Sequence, residues 1–198
     1  MPIVDVEIPE VGYPLYFGSQ SCSTNDRSLC RHMPTGNAEH KMSNKPSCHI
    51  RIATESDIPD LVALLQDLFA IEADFNGDPV KQERGLRLLL ESPGGKIWVA
   101  EERGHIVGLC TLQILISTAE GGPVGLVEDV VVVSDRRGFG IGRQLLAALE
   151  IWAVQHGLSR LQLLADRENR SALDFYQRLD WRETKLIALR KTRLTDSP

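Results

Sequence analysis

The sequence predicts one α/β domain with a parallel strand pair at its centre, preceded by an N-terminal extension. Three observations predict it. Residues 1–47 are rich in Ser, Asn, Pro, Gly and Cys and keep no period, so they read as a poorly ordered extension; periodic segments begin near Cys48. From there to about residue 194, runs that alternate every second residue are interleaved with runs of helical spacing. The β-branched run PVGLVEDVVVVS then enters a glycine-rich turn, a long helix and another strand. Such a strand–helix–strand unit closes as a right-handed crossover between parallel neighbours. A chain of 198 residues suffices for one such domain with a real core and is short for two.

The elements follow in order. HIRIA is a short strand. Thr54 and Asp57 form a start like a capping box, with Asp in place of the usual Glu, and Ile58, Leu61, Leu65 and Leu68 follow at helical spacing. Asn76, Gly77, Asp78 and Pro79 break the chain before a second helix over 80–90, which SPGG ends. KIWVAEE alternates as a strand with Ile97 and Val99 on one face, Arg103-Gly104-His105 turns the chain, and IVGLCTLQILIS is a longer strand. PVGLVEDVVVVS is rich in β-branched residues, as a central strand should be. After the glycine turn, Ile141, Leu145, Leu149 and Trp152 mark a long helix that Gly157 stops. LSRLQLLAD is the next strand, 169–179 a short helix, and 181–190 a closing strand. No internal repeat is present.

Composition narrows the function classes. The formal charge of −5 and a pI near 5.6 disfavour non-specific nucleic-acid binding, while leaving room for a locally charged pocket. Four cysteines are too few for a disulfide scaffold, and Cys110 lies in an apolar strand, which fits a reducing compartment. The acidic start MPIVDVEIPE is unlike a signal peptide, and no run approaches the roughly 20 apolar residues a membrane span needs. A cytoplasmic protein without membrane or nucleic-acid partners is expected. A start at Met42 would account for the extension.

The most informative segment is Asp135-Arg136-Arg137-Gly138-Phe139-Gly140-Ile141-Gly142-Arg143. It leaves a strand and opens a helix, so its backbone N–H groups and the helix dipole favour an anion such as a pyrophosphate. Glycine allows positive φ and close approach of phosphate oxygens. A Walker A loop would need Lys after its last glycine, and a dinucleotide fingerprint would need glycine where Arg143 stands. What remains, Arg137-x-x-Gly140-x-Gly142, resembles the acetyl-CoA signature of the GNAT superfamily of N-acetyltransferases.

That resemblance extends over residues 49–193 and includes the order of elements and a late motif, Asn169-x-x-Ala172-x-x-Phe175-Tyr176. It implies a GNAT-like fold: a mixed, mostly antiparallel central sheet with a parallel pair at the middle and helices on both faces. It also implies acetyl-CoA as co-substrate. The backbone of Val130, Val131 and Val132 would lie along the pantetheine arm, the pyrophosphate would rest on the amides of Arg137, Gly138, Phe139, Gly140, Ile141, Gly142 and Arg143, and Asn169 would contact the pantetheine region. The stretch from Glu128 to Gly142 is similar to that of diamine (spermidine/spermine) acetyltransferases. Where relatives carry Gly-Phe after the tyrosine, this chain has Asp180-Trp181.

Acetyl transfer to an amine needs a group that accepts the amine proton, a donor for the developing oxyanion and a donor for the thiolate. Glu128, on the central strand, is the candidate base; the alternative is a structural carboxylate bonded to backbone or Arg. Asp129 is a weaker candidate, since a regular strand points it to the other face. Tyr176 is the candidate acid, which the resemblance places near the cofactor sulfur; the alternative is a core tyrosine held by Phe175 and Trp181. Glu72, Asp74, Asp78 and Glu83 are acidic groups able to attract a cationic amine. The expected reaction is direct transfer of acetyl to a primary amine of a small molecule. Acetylation of a protein N-terminus or lysine, or non-catalytic acyl-CoA sensing, are the competing readings, and a homodimer is compatible with any of them. No metal is expected: Cys22, Cys30, His32, His40 and Cys48 match no compact zinc spacing. His105, His156 and Cys110 read as turn, helix-end and core residues.

Overall fold

The computed structural model describes residues 48–70 and 77–191. The extension 1–47, with Cys22, Cys30, His32 and His40, lies outside the described residues, as do Glu72 and Asp74. Five strands, β1 (His49–Ile52), β2 (Gly95–Glu102), β3 (His105–Ser117), β4 (Gly122–Val132) and β5 (Leu161–Leu163), form one sheet in sequence order. The first three pairings are antiparallel and β4–β5 is parallel, with Val127 opposite Leu163 at its end.

Four helices cover the two faces. Period-2 alternation decides which side chain meets which helix. Ile97, Val99, Leu109 and Val131 face Leu61, Leu64 and Leu65 of α1 (Ile58–Phe69) and Leu86 of α2 (Pro79–Glu91). Trp98, Ala100, Cys110, Leu112 and Val127 face Ile141, Leu145, Leu146 and Leu149 of α3 (Ile141–Gln155). Each fully buried Leu of these layers contributes about 1.5–3 kcal/mol over its exposed state. Phe175 and Tyr176 of α4 (Arg170–Gln177), with Leu179 and Trp181, pack against the α3 side.

The Thr54 start forms as expected, with a 3₁₀ turn (Glu55–Asp57) ahead of α1. Asp57 accepts from the Thr54 amide (2.7 Å) and hydroxyl (3.0 Å), and both its oxygens are held by the Arg51 guanidinium (2.7 and 2.8 Å).

Two features position the site. Cys110 pairs with Val130 and Leu112 with Val127, so Glu128 and Asp129 together oppose Thr111. That is a β-bulge, which bends the bulged strand and raises its twist. Beyond it β4 has no β5 partner: the parallel ladder ends at Val127, and the edge of β4 from Glu128 onward is open on that side.

One expected element is not formed. Residues 181–190 are outside any strand, β5 is only three residues long, and the parallel pair therefore lies at the edge of the described sheet. The cause is local. Trp181 is tied back to Tyr176 through its amide (3.1 Å), and the charged run that follows is solvent-exposed throughout. A three-residue strand offers few ladder groups for that run to pair with.

Candidate active site

At the end of β4 the chain makes a 3₁₀ turn (Ser134–Arg136), closed by the Arg136 amide on Val133 O (3.0 Å) and the Arg137 amide on Ser134 O (3.3 Å). Gly138 and Gly140 follow at φ +82° and +83°. A Cβ at either would meet nothing within 4 Å, so it is the left-handed backbone, costly for other L-residues, that calls for glycine there. Gly140 caps α3, and the first internal bond of that helix comes from Gln144. Among the described residues the amides of Gly138, Phe139, Gly140, Ile141, Gly142 and Arg143 have no acceptor. Six consecutive free donors at the positive end of a 15-residue helix fit a diphosphate. Arg143 is exposed beside them; Arg137 is exposed too, with Nε on Val132 O (2.9 Å). Ile141 is core and Phe139 lies half in solvent.

The third glycine has a different reason. A Cβ on Gly142 would lie 3.1 Å from the Phe175 ring, so this residue allows α4 to seat against the start of α3. Asn169 caps α4, its Oδ1 accepting from Ala172 N (3.1 Å). Tyr176 is half-buried between Phe175 and Trp181, with ring centroids at 5.2 and 6.1 Å. The tyrosine thus stands on the element that touches the glycine loop.

Along β4, the amide of Val133 bonds Val107 O on β3 (3.0 Å). Strand alternation turns the backbone of Val131 to that same side and the backbones of Val130 and Val132 to the open edge. Glu128 is exposed and accepts from the Gln113 side-chain amide. Asp129 is held instead by the fully buried Thr111, whose hydroxyl donates to Oδ2 (2.9 Å) and accepts from the Asp129 amide (3.0 Å). Thr111 and Gln113 were not singled out by the sequence reading. Their only signal is that they are the two polar residues inside the apolar run IVGLCTLQILI of β3.

The remaining candidates divide. Asp78 caps α2 through Val80 N (3.1 Å) and Lys81 N (3.3 Å), and Glu83 pairs with Arg87 (2.9 Å), so both carboxylates serve that helix. Cys110 is buried; desolvation, then the nearby Asp129 charge, push its thiol far above the usual range. His156 bonds Trp152 O through Nδ1 (2.8 Å) at the end of α3. No cluster of potential metal ligands, and no helix long and apolar enough to cross a membrane, occurs among the described residues.

Comparison with known proteins shows the family and the fold. Residues 61–181 match the family model for the acetyltransferase (GNAT) family. The aminoalkylphosphonate N-acetyltransferase of Salmonella typhimurium is 29% identical over 139 residues, covering 70% of this chain and 88% of that one. A crystal structure of a transcriptional regulator from Bacillus halodurans superposes with a TM-score of 0.65 at 26% identity, over 74% of this chain and 100% of the other. An aminoglycoside N-acetyltransferase in complex with CoA gives a TM-score of 0.65 at 19% identity, over 74% of this chain and 95% of that one, a likeness of fold alone.

Proposed function

The chain belongs to the GNAT acetyltransferase family, an acetyl-CoA-dependent N-acetyltransferase fold, and from that premise we propose that it moves acetyl directly onto a primary amine of a small molecule within a ternary complex. The observation that carries this reading is the row of unpartnered amides from Gly138 to Arg143 beside the open edge of β4. Acetyl-CoA supplies the activated acyl group as a thioester. The amides hold its diphosphate. Backbone groups of Val130 and Val132 take the pantetheine arm, with the free side-chain NH₂ of Asn169 as a further donor.

Glu128 accepts a proton from the incoming amine, and Gln113 orients its carboxylate. The amine nitrogen then attacks the carbonyl carbon; a C–N bond forms, the C–S bond breaks, and the Tyr176 hydroxyl protonates the departing sulfur. Asp129, bonded at both its amide and its carboxylate to Thr111, keeps the bulge rather than the proton. A small amine as acceptor is supported by the Salmonella relative, whose name specifies aminoalkylphosphonates.

Turnover of acetyl-CoA across a panel of small amines tests the reading, with thiol release as the signal. Coenzyme A uptake without thiol release on any amine would favour the sensor alternative. Glu128→Gln should lower kcat by about 10²-fold or more at neutral pH, the usual worth of a general base. It should also move the rate profile to higher pH, where bulk solvent deprotonates the amine; an unmoved profile removes Glu128 from this role. Tyr176→Phe should lower kcat by about tenfold or more while the KM for acetyl-CoA changes little.

A further inference from the structure

The entrance to the amide row is held by a charge pair that proton transfer and acyl transfer do not use. Glu102, the last residue of β2, is 6% exposed. Its Oε2 accepts from Arg136 Nε at 2.6 Å, and Arg136 also reaches Asp135 Oδ2 at 2.8 Å. Hydrogen bonding to Glu102, then the charge of Asp135, raise the already high pKa of that guanidinium. Burying a carboxylate is costly, and an apolar residue of similar volume often serves stability as well or better. A role in fold stability alone is therefore a weak account of Glu102.

Its placement gives a better one. Arg136 sits in the turn directly before Arg137 and the glycines. Among the described residues, the Glu102 contact is the only side-chain hydrogen bond that ties residues 134–139 to β2; that of Arg137 runs back five residues to Val132 O, at the end of the strand the loop leaves. An open hollow of about 390 Å³ lies beside the turn, lined by Arg103, His105, Val107, Val133 and Asp135 besides the pair. Two glycines at positive φ follow before α3 begins.

We propose that Glu102 and Arg136 form a positioning latch that fixes the glycine loop to the β2–β3 hairpin and thereby sets the affinity for the diphosphate of coenzyme A. The inference rests on the functional reading above. Its energetic logic is preorganisation: the free amides bind well only if they already stand in place.

The latch predicts a sign that charge alone reverses. Glu102→Gln strips the charge that grips Arg136, leaving at most a weaker bond to a neutral amide oxygen, and adds net positive charge near the anion, which would tighten binding if charge dominated. The latch requires the opposite: the Kd for coenzyme A by calorimetry and the KM for acetyl-CoA rise together by about tenfold, while kcat moves less than about twofold. Glu102→Gln/Arg136→Gln should bind no worse than the weaker single variant, because both remove one interaction. Unchanged or tighter binding in Glu102→Gln overturns the proposal. If that variant does not fold, Arg136→Lys decides: it keeps the charge but loses the planar guanidinium, and a Kd within about twofold of wild type is equally fatal. Hydrogen exchange separates the latch from the functional reading. In coenzyme-free protein the Arg136 and Arg137 amides should exchange at least about tenfold faster in Glu102→Gln. A wild type that takes up no coenzyme A would sink the functional reading and, with it, the affinity claim, whereas unchanged exchange sinks the latch alone.

Discussion

Asp180 has a backbone φ of +63°, in the left-handed region that most side chains avoid. It follows the Tyr176 turn and is exposed, and its amide closes on Gln177 O (3.1 Å). Asp180→Gly should relieve roughly 0.5–1 kcal/mol, the left-handed penalty less the extra freedom of glycine in the unfolded chain. Urea unfolding would register the gain, and a loss of stability would mean the aspartate side chain holds something glycine cannot. This strain was half-legible, because the sequence sets Asp where similar proteins set Gly without saying what φ the position keeps. The glycine loop was legible because its spacing excludes other phosphate loops, and positive φ at Gly138 and Gly140 bears out the conformational reason for them. Gln113, Thr111 and the Glu102–Arg136 pair were not legible. Each depends on which residues face one another across strands or turns, and the bulge shifts that register by a step no local pattern announces.

The start of α1 is the clearest case of an element specified locally. Hydrogen bonds from Arg51 and then from Thr54 hold the Asp57 carboxyl down to about 2, against an ordinary value of 3.8. A depressed folded value means that the stabilisation is complete above the unfolded value and fades as pH falls toward the folded one. The carboxylate therefore contributes about 2 kcal/mol at neutral pH, lost between pH ~4 and pH ~2. Asp57→Asn should be less stable than wild type by about that amount at pH 7. The two should converge as acid unfolding is followed through that window; a constant gap would place the benefit in packing instead. The closing strand is the contrary case. Its apolar residues were visible, yet Leu186, Ile187 and Leu189 stand 81%, 63% and 88% exposed, because a strand exists only where a ladder partner does.

At the scale of the whole domain, two apolar layers share one sheet, so loss of either exposes the other. Unfolding should be a single transition in which far-UV dichroism and the fluorescence of Trp98, Trp152 and Trp181 coincide. Leu149, fully buried beneath the sheet, tests this: Leu149→Ala should cost about 2–5 kcal/mol, displacing both signals together. Separated midpoints would mean that the α1–α2 layer stands alone. Fold class was readable at this scale because alternation and helical spacing report burial directly; the acceptor was not, since residues 71–76 and the ends of the chain carry no such rhythm. The bulge has one more consequence. Before it, odd-numbered Val127 faces α3; after it, odd-numbered Val131 faces α1 and even-numbered Val130 and Val132 face α3. The strand changes parity at one point. The number of residues between Val127 and Val131 is thus coded as firmly as any side chain, for one fewer would hand the valines meant for α1 to α3, and those meant for α3 to α1, along the whole end of β4.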